Sequence, residues 1–178
     1  MRRLAIFGAS LCLGAAPKLA PPALDLILAE TPAPRLADYR LFTDAAARRP
    51  NAGLTPYGLN TPLFSDYAEK HRLVFLPPGT AAGYDAQEAF VFPVGAVLVK
   101  TFAYPADLRR PGVGERYVET RLLIRKPQGW FAQTYVWNAD QTDAVLTRAG
   151  ARRAVAVTGH DGKPLSIDYA IPNQNQCK

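Results

Sequence analysis

The chain reads as an α+β protein in which β structure dominates: an antiparallel, meandering sheet of about five or more strands with one or two N-terminal helices. Three observations predict this. From residue 72 onward apolar residues recur with a period of two, interrupted at short intervals by turn residues. The 178 residues include 16 prolines, a count that favours short elements and many turns over long helices. A helical period occurs only ahead of the strands, so the two kinds of element are segregated along the chain.

The elements follow in order. Met1, Arg2 and Arg3 make a basic start, residues 4–13 are apolar, and Gly14, Ala15 and Ala16 place small residues ahead of Pro17. Residues 1–16 are therefore expected to be a secretory signal peptide, too short to span a bilayer. A buried N-terminal strand is the competing reading of the same run, and lipidation at Cys12 is disfavoured by Leu11, where a small residue is wanted. Residues 17–34 are rich in Ala and Pro and read as a linker with room for a helical turn over 23–30. Residues 35–178 read as one β-rich domain. It opens with a predicted helix over 35–49, in which Leu36, Tyr39, Leu41 and Phe42 fall near one face and Pro50 stops the run. Residues 51–67 are loop-like, punctuated by Gly53, Pro56, Gly58 and Pro62.

Strands are expected at 72–76, 89–92, 96–104, 116–125, 129–138, 144–148, 154–158 and 165–170. In the third of these, Val97, Val99 and Thr101 face one side and Leu98, Lys100 and Phe102 the other. In the fourth, Val118, Thr120, Leu122 and Ile124 share a face. The fifth carries Trp130, Phe131, Tyr135 and Trp137, a β-prone aromatic segment that forms core or walls a ligand. Asp161-Gly162 marks a hairpin turn between the last two strands.

Composition bounds the function. A hydrophobic fraction of 48% and a charged fraction of 20% are those of a folded domain. The formal charge is +6, yet the arginines are scattered and not interleaved with aromatics, which argues against nucleic acid. A basic face for an acidic redox partner, or a solvated surface, fits better. If the signal peptide is removed, Cys12 and the single methionine leave with it, and Cys177 is the only thiol. An exported protein with one thiol needs a partner or a modification for it.

That thiol stands in Asn173-Gln174-Asn175-Gln176-Cys177-Lys178. A Cys followed by one residue is what remains of a Cys-x-x-Cys-His haem-attachment motif interrupted after its second position. The second thiol and the imidazole are absent from this chain, so the chain as given is expected to hold no covalent haem. Other candidates are few. Lys100 is read as a lysine at a sheet edge with a packed stem and a hydrated amine, or, more sharply, as a lysine of low pKa inside a pocket. His160 reads as an exposed turn residue; His71 reads as a surface residue or, less simply, an axial ligand. Two histidines without zinc-like spacing exclude a His-rich metal cage. Asp66, Glu69 and Glu119 are the carboxylates available for an acid–base pair, although Ser65 and Asp66 are better read as a helix start. No Gly-x-Ser-x-Gly elbow is present, and Gly112-Val113-Gly114 lacks the strand–helix frame of a phosphate loop.

Several segments resemble a known family. Residues 57–70 (YGLNTPLFSDYAEK), 92–102 (FPVGAVLVKTF), 118–123 (VETRLL), 135–138 (YVWN) and the terminal Asn-Gln-Cys-Lys are similar, in this order, to a family of bacterial exported dihaem c-type cytochromes found beside parallel β-helix repeat proteins. The likeness runs from about residue 36 to the end. It implies a periplasmic or secreted electron-transfer domain with no stable membrane span, a redox protein as partner, and haem c in a longer parent, with Cys177 supplying one thioether. A fainter similarity joins the Gly-x-Val-x-Val-Lys strand and the aromatic strand to P-four-sixty-type cytochromes. It implies a five-stranded antiparallel fold, an alternative role in oxidising a small nitrogen compound such as hydroxylamine, and Lys100 as the lysine that meets the haem. A haem-free periplasmic binding module is the third expectation.

Overall fold

The computed structural model describes residues 19–44 and 49–176; the expected signal peptide and Cys177 lie outside the described residues. In chain order the elements are α1 (Leu24–Leu28), a 3-10 turn (Leu36–Tyr39), β1 (Phe42–Asp44), β2 (Arg49–Pro50), β3 (Leu54–Pro56), β4 (Glu69–Phe75), β5 (Val97–Tyr104), β6 (Arg116–Lys126), β7 (Gly129–Trp137), β8 (Ala144–Leu146), β9 (Ala151–Thr158), β10 (Pro164–Ile171) and a last 3-10 turn (Gln174–Gln176). The protein is mainly β. Strands β3 to β8 form one six-stranded sheet whose spatial order is their sequence order, every pair antiparallel. Short turns between sequential strands make that meander the direct arrangement for the alternating pattern. β9 and β10 form a separate hairpin closed at Asp161-Gly162, where Gly162 has φ 81°. β1 and β2 make a small ribbon.

The period of two in β5 builds a sheet with two covered faces. Val97, Val99 and Ala103 lie under the N-terminal segment, in a core with Ile27, Ala33, Leu36, Tyr39 and Leu41 above them and Leu122, Ile124, Tyr135 and Trp137 beside them. Phe102 and Tyr104 point the other way, into a second core with Val118, Val136, Val157, Tyr169 and Ile171 beneath the hairpin. The result is three layers: N-terminal segment, sheet, hairpin. Each face removes its apolar side chains from water, the main favourable term in folding.

Hydrogen bonds fix the N-terminal layer. Within the described part of the segment expected to be a linker, Ala23 and Ile27 are buried, and the turn anticipated over 23–30 is present as α1. The Ala33 amide donates to the Tyr39 hydroxyl (3.0 Å), which donates to Gln133 Oε1 (2.8 Å). Tyr135 donates its hydroxyl to the Ala33 carbonyl (2.9 Å). Lys126 Nζ donates to the Ala29 carbonyl. Asn51 Nδ2 bridges the carbonyls of Ala20 and Arg40 (both 2.8 Å). Gly95, φ 90°, opens the way into β5; a Cβ there would stand 2.9 Å from both Leu24 and Pro77.

Four expectations are corrected. The helix predicted over 35–49 is only a 3-10 turn over Leu36–Tyr39, because Arg40 turns left-handed (φ 52°) and Asn51 takes the carbonyls of Arg40 and Leu41 that a helix would need. Leu36, Tyr39 and Leu41 are buried all the same. No helix starts at Ser65 and Asp66: Asp66 and Tyr67 have φ of 46° and 64°, and the Ala68 amide closes a turn on the Ser65 carbonyl. Residues 89–92 form a single bridge, Gly83 to Val91, and not a strand, with Pro93 next in the chain. Val118 does not share a face with Thr120. Phe102 pairs with Glu119 while Ala103 pairs with Tyr117, so Val118 is the extra residue of a β-bulge and joins the hairpin-side core, whereas Tyr117 joins the other.

Tyr135→Phe removes the donor to a buried carbonyl while keeping the ring. It is expected to lower unfolding stability by about 1–2 kcal/mol, read from urea titrations with an unchanged m-value.

Candidate functional site

The hairpin covers the sheet face only as far as Phe102. Beyond it, towards Leu98, the face is open as a groove of about 770 Å³. Its floor is Lys70 and Arg72 of β4, Leu98, Lys100 and Phe102 of β5, Arg121 and Leu123 of β6, and Ala132 of β7. Tyr57, Leu59, Leu63 and Phe64 form one bank, and Tyr169, Pro172 and Gln176 the other. Leu59, Leu63 and Phe64 are exposed apolar side chains. Lys70 Nζ donates to the Leu63 carbonyl, which ties this bank to β4.

Register puts three cations in line. Arg72 pairs with Lys100, and Lys100 pairs with Arg121, across β4, β5 and β6. Like charges directly opposite each other destabilise a sheet. One carboxylate answers them: Glu119, which is 0% exposed. It accepts two bonds from Arg121 (3.0 and 2.5 Å) and one from the Tyr169 hydroxyl (2.6 Å). The ring of Phe102 lies against both neighbours, 4.4 Å from the Arg121 guanidinium carbon and 5.1 Å from Lys100 Nζ. Burial holds the Lys100 amine below the usual lysine range, and the charges of Arg121 and Arg72 add to the effect. Lys70 is lowered in the same way, by burial and then by Arg72. Burial raises the Tyr57 and Tyr169 phenols, the latter also through the charge of Glu119.

The candidate residues are distributed unevenly around this groove. Lys100 stands on its floor, on the side of Leu98 and Phe102 that the alternation indicates. Cys177 lies outside the described residues, and Gln176, the residue before it, lines the groove. His71 is on the opposite face of β4 from Lys70 and Arg72, with Nε2 2.7 Å from Glu115. His160 is exposed in the β9–β10 turn, its ring 5.8 Å from that of Tyr67. The three carboxylates form no pair: Glu119 is held by Arg121 and Tyr169, Asp66 sits at the groove wall, and Glu69 shares the face of His71. The aromatic strand does not wall the groove. Tyr135 and Trp137 are buried under the N-terminal layer, with Trp137 Nε1 donating to Thr120 (2.9 Å). Trp130 packs edge-on to Phe92, and Phe131 lies under Lys126. Among the described residues no group of three or more His, Cys, Asp or Glu stands together to hold a metal ion, and no helix is long and apolar enough to cross a membrane.

Sequence reasoning missed Lys70, Arg72, Arg121 and the apolar bank at Leu59, Leu63 and Phe64. Part of the signal was present: Lys70 and Arg72, like Glu119 and Arg121, are spaced by two and so share a strand face. No family model matches the chain, and no curated protein or solved structure matches it.

Two outcomes test this electrostatic picture. Glu119→Ala leaves the Arg121 guanidinium half-buried without its carboxylate and is expected to cost about 3–5 kcal/mol, whereas Glu119→Gln, which keeps two acceptor lone pairs, should cost less; chemical denaturation of both variants checks it. Stability should also fall as the pH rises past about 10, the phenol value of the unfolded chain. Tyr104, Tyr135 and Tyr169 have folded-state values raised above it, each chiefly by burial, so their contribution is complete below that pH and is lost as the pH climbs. Lys70 and Lys100, lowered in the fold, act with the opposite sign below about 10.4. Denaturant midpoints at pH 8 and 11 decide between the two; a higher midpoint at pH 11 would contradict the burial of the three phenols.

Proposed function

We propose that this chain is the haem-facing β domain of an exported c-type cytochrome that carries single electrons, with Cys177 supplying one thioether of a haem attached in a longer parent. The observation that carries the reading is the groove: an apolar-walled, cation-floored cleft that closes on Gln176, immediately before the cysteine. The residues fit the group in two respects. A volume of about 770 Å³ lies within the range of small-molecule and cofactor clefts. A porphyrin is a flat, largely apolar body, and the lining supplies Leu59, Leu63, Phe64, Leu98 and Leu123 to meet it over a cationic floor. Among the described residues no imidazole lines the groove, so an imidazole for the iron would have to come from outside them.

Bound haem would supply a reversible one-electron couple; the protein's part is to set its surroundings. Leu59, Leu63 and Phe64, exposed apolar side chains on one bank, would pack against one face of it. Lys70, Arg72, Lys100 and Arg121 would place positive charge beside it, which would favour the reduced, less positive state. The net charge, +6 for the full sequence and still positive without Arg2 and Arg3, suits an acidic electron-transfer partner. Export follows from the signal peptide read at residues 1–16.

A second reading has one observation in its favour. A lysine of lowered pKa on a groove floor is a reactive amine, as required of a haem oxidase that acts on hydroxylamine or a similar small nitrogen compound.

Production of the gene product that runs past Lys178, in cells with haem-maturation machinery, tests both. The expected result is a c-type pyridine haemochrome whose covalent haem is lost or reduced to a single thioether in Cys177→Ala. A natural product that lacks Cys-His beyond Lys178, or that takes up no covalent haem, removes the proposal. Turnover of hydroxylamine that disappears in Lys100→Arg would favour the oxidase over the carrier.

A further inference from the structure

We infer that Arg72, Lys100 and Arg121, with Lys70 at the rim, form a binding row for two carboxylates carried on one flat, apolar ligand body. The inference rests on reading the groove as a ligand cleft and adds which groups hold the ligand's charges.

The register is the first argument. Arg72, Lys100 and Arg121 are direct cross-strand partners on β4, β5 and β6. Neighbouring strands are about 4.8 Å apart, so the row spans about 10 Å. Arg121 already donates twice to Glu119, so Arg72 and Lys100 are the two cations left for two anionic groups, one each, with Arg121 adding charge at the end of the row. Glu119 forms its ion pair with Arg121, and among the described residues neither Arg72 nor Lys100 has a carboxylate within ion-pair distance. A row of like charges weakens the sheet that holds it, so it does not serve the fold.

The surroundings are the second argument. Lysine and arginine often lay their stems on an apolar strand and leave their heads in water. Here Phe102 sits against Lys100 and Arg121, and Arg72 donates back to the Lys70 carbonyl (3.2 Å), so the cationic heads are held over the floor of a cavity. The walls above them are apolar, through Leu63 and Phe64 on one bank and Pro172 on the other. Charge below and apolar surface above select an amphipathic dianion over a free inorganic anion.

Metal-free protoporphyrin IX is the probe, because it carries both carboxylates and cannot gain affinity through iron ligation. Its fluorescence is titrated into the intact 178-residue chain, beside its dimethyl ester and, as a second dianion, dodecanedioate. The free acid is expected to bind at least tenfold more tightly than the ester, and Arg72→Gln and Lys100→Gln should each weaken the free acid about tenfold while leaving the ester unchanged. Arg121 is left in place because Glu119 depends on it. Thermal melting supplies an independent readout: relief of like-charge repulsion should leave both variants at least as stable as the parent chain. Dodecanedioate binding that is lost in the variants, without porphyrin binding, keeps the carboxylate row and removes the haem reading. Equal affinity for acid and ester, variants that bind the acid as tightly as the parent chain, or no binding of any of the three probes overturns the inference.

Discussion

The carboxylate of Glu119 holds the architecture of the groove side together. It has no exposure to water, and an uncompensated charge at such a depth is among the most costly features a fold can carry. Three donors meet it, two from Arg121 and one from Tyr169. Arg121 belongs to the central sheet and Tyr169 to the hairpin, so one side chain joins two layers that share no strand pairing. It also directs the Arg121 guanidinium to the groove floor. Glu119 faces the hairpin by alternation with Arg121, and the bulge adds Val118 to the same side: without the extra residue the alternation would place Val118 on the side of Thr120, and the second core would lose one of its members.

The same interaction marks where the hairpin stops covering the sheet. Tyr169 packs its ring on Phe102 and Tyr104, at centroid distances of 6.0 and 5.8 Å, and the apolar layer ends there. The next residues on that face are Lys100 and Arg72, which a hairpin side chain could cover only by burying charge without a partner. An apolar residue at either position would let the second core extend along β5 or β4. The groove is therefore written into the strand sequence as a change of side-chain class partway along one face, and its banks come from the irregular segment 57–66 and from the end of β10 with the 3-10 turn after it.

The sheet was largely legible, and the groove was not. Seven of the eight strands expected from the sequence pattern are present, most clearly β5, where buried Val97, Val99 and Thr101 alternate with half-buried Leu98 and Lys100. Lys100 was placed on the correct side for the same reason. The helix expected over 35–49 failed because burial at Leu36, Tyr39 and Leu41 satisfies a helical period almost as well as it satisfies a turn followed by an extended chain, and the left-handed Arg40 that decides between them leaves no mark in the pattern. The bulge was invisible because one inserted residue changes register, not composition. The cation row needed exact pairing: Arg72, Lys100 and Arg121 are separated along the chain by tens of residues, and only the ladders of β4, β5 and β6 bring them together.

The row is also where local preference and global fold disagree. A sequence selected for stability alone would place β-branched or aromatic residues at three adjacent central positions, as it does on the opposite face with Val97 and Val99. On the groove face the chain instead carries three cations side by side, one of them a lysine whose proton is already held less tightly than in water. Conflict of this kind concentrates at sites that do something other than fold. An acidic surface partner could answer the charge but not the depth of the cleft or its apolar banks; a free small anion could answer the depth but not the banks. A ligand that combines two negative groups with a flat hydrocarbon body satisfies all three, and the groove's last lining residue, Gln176, directly precedes Cys177 in the chain.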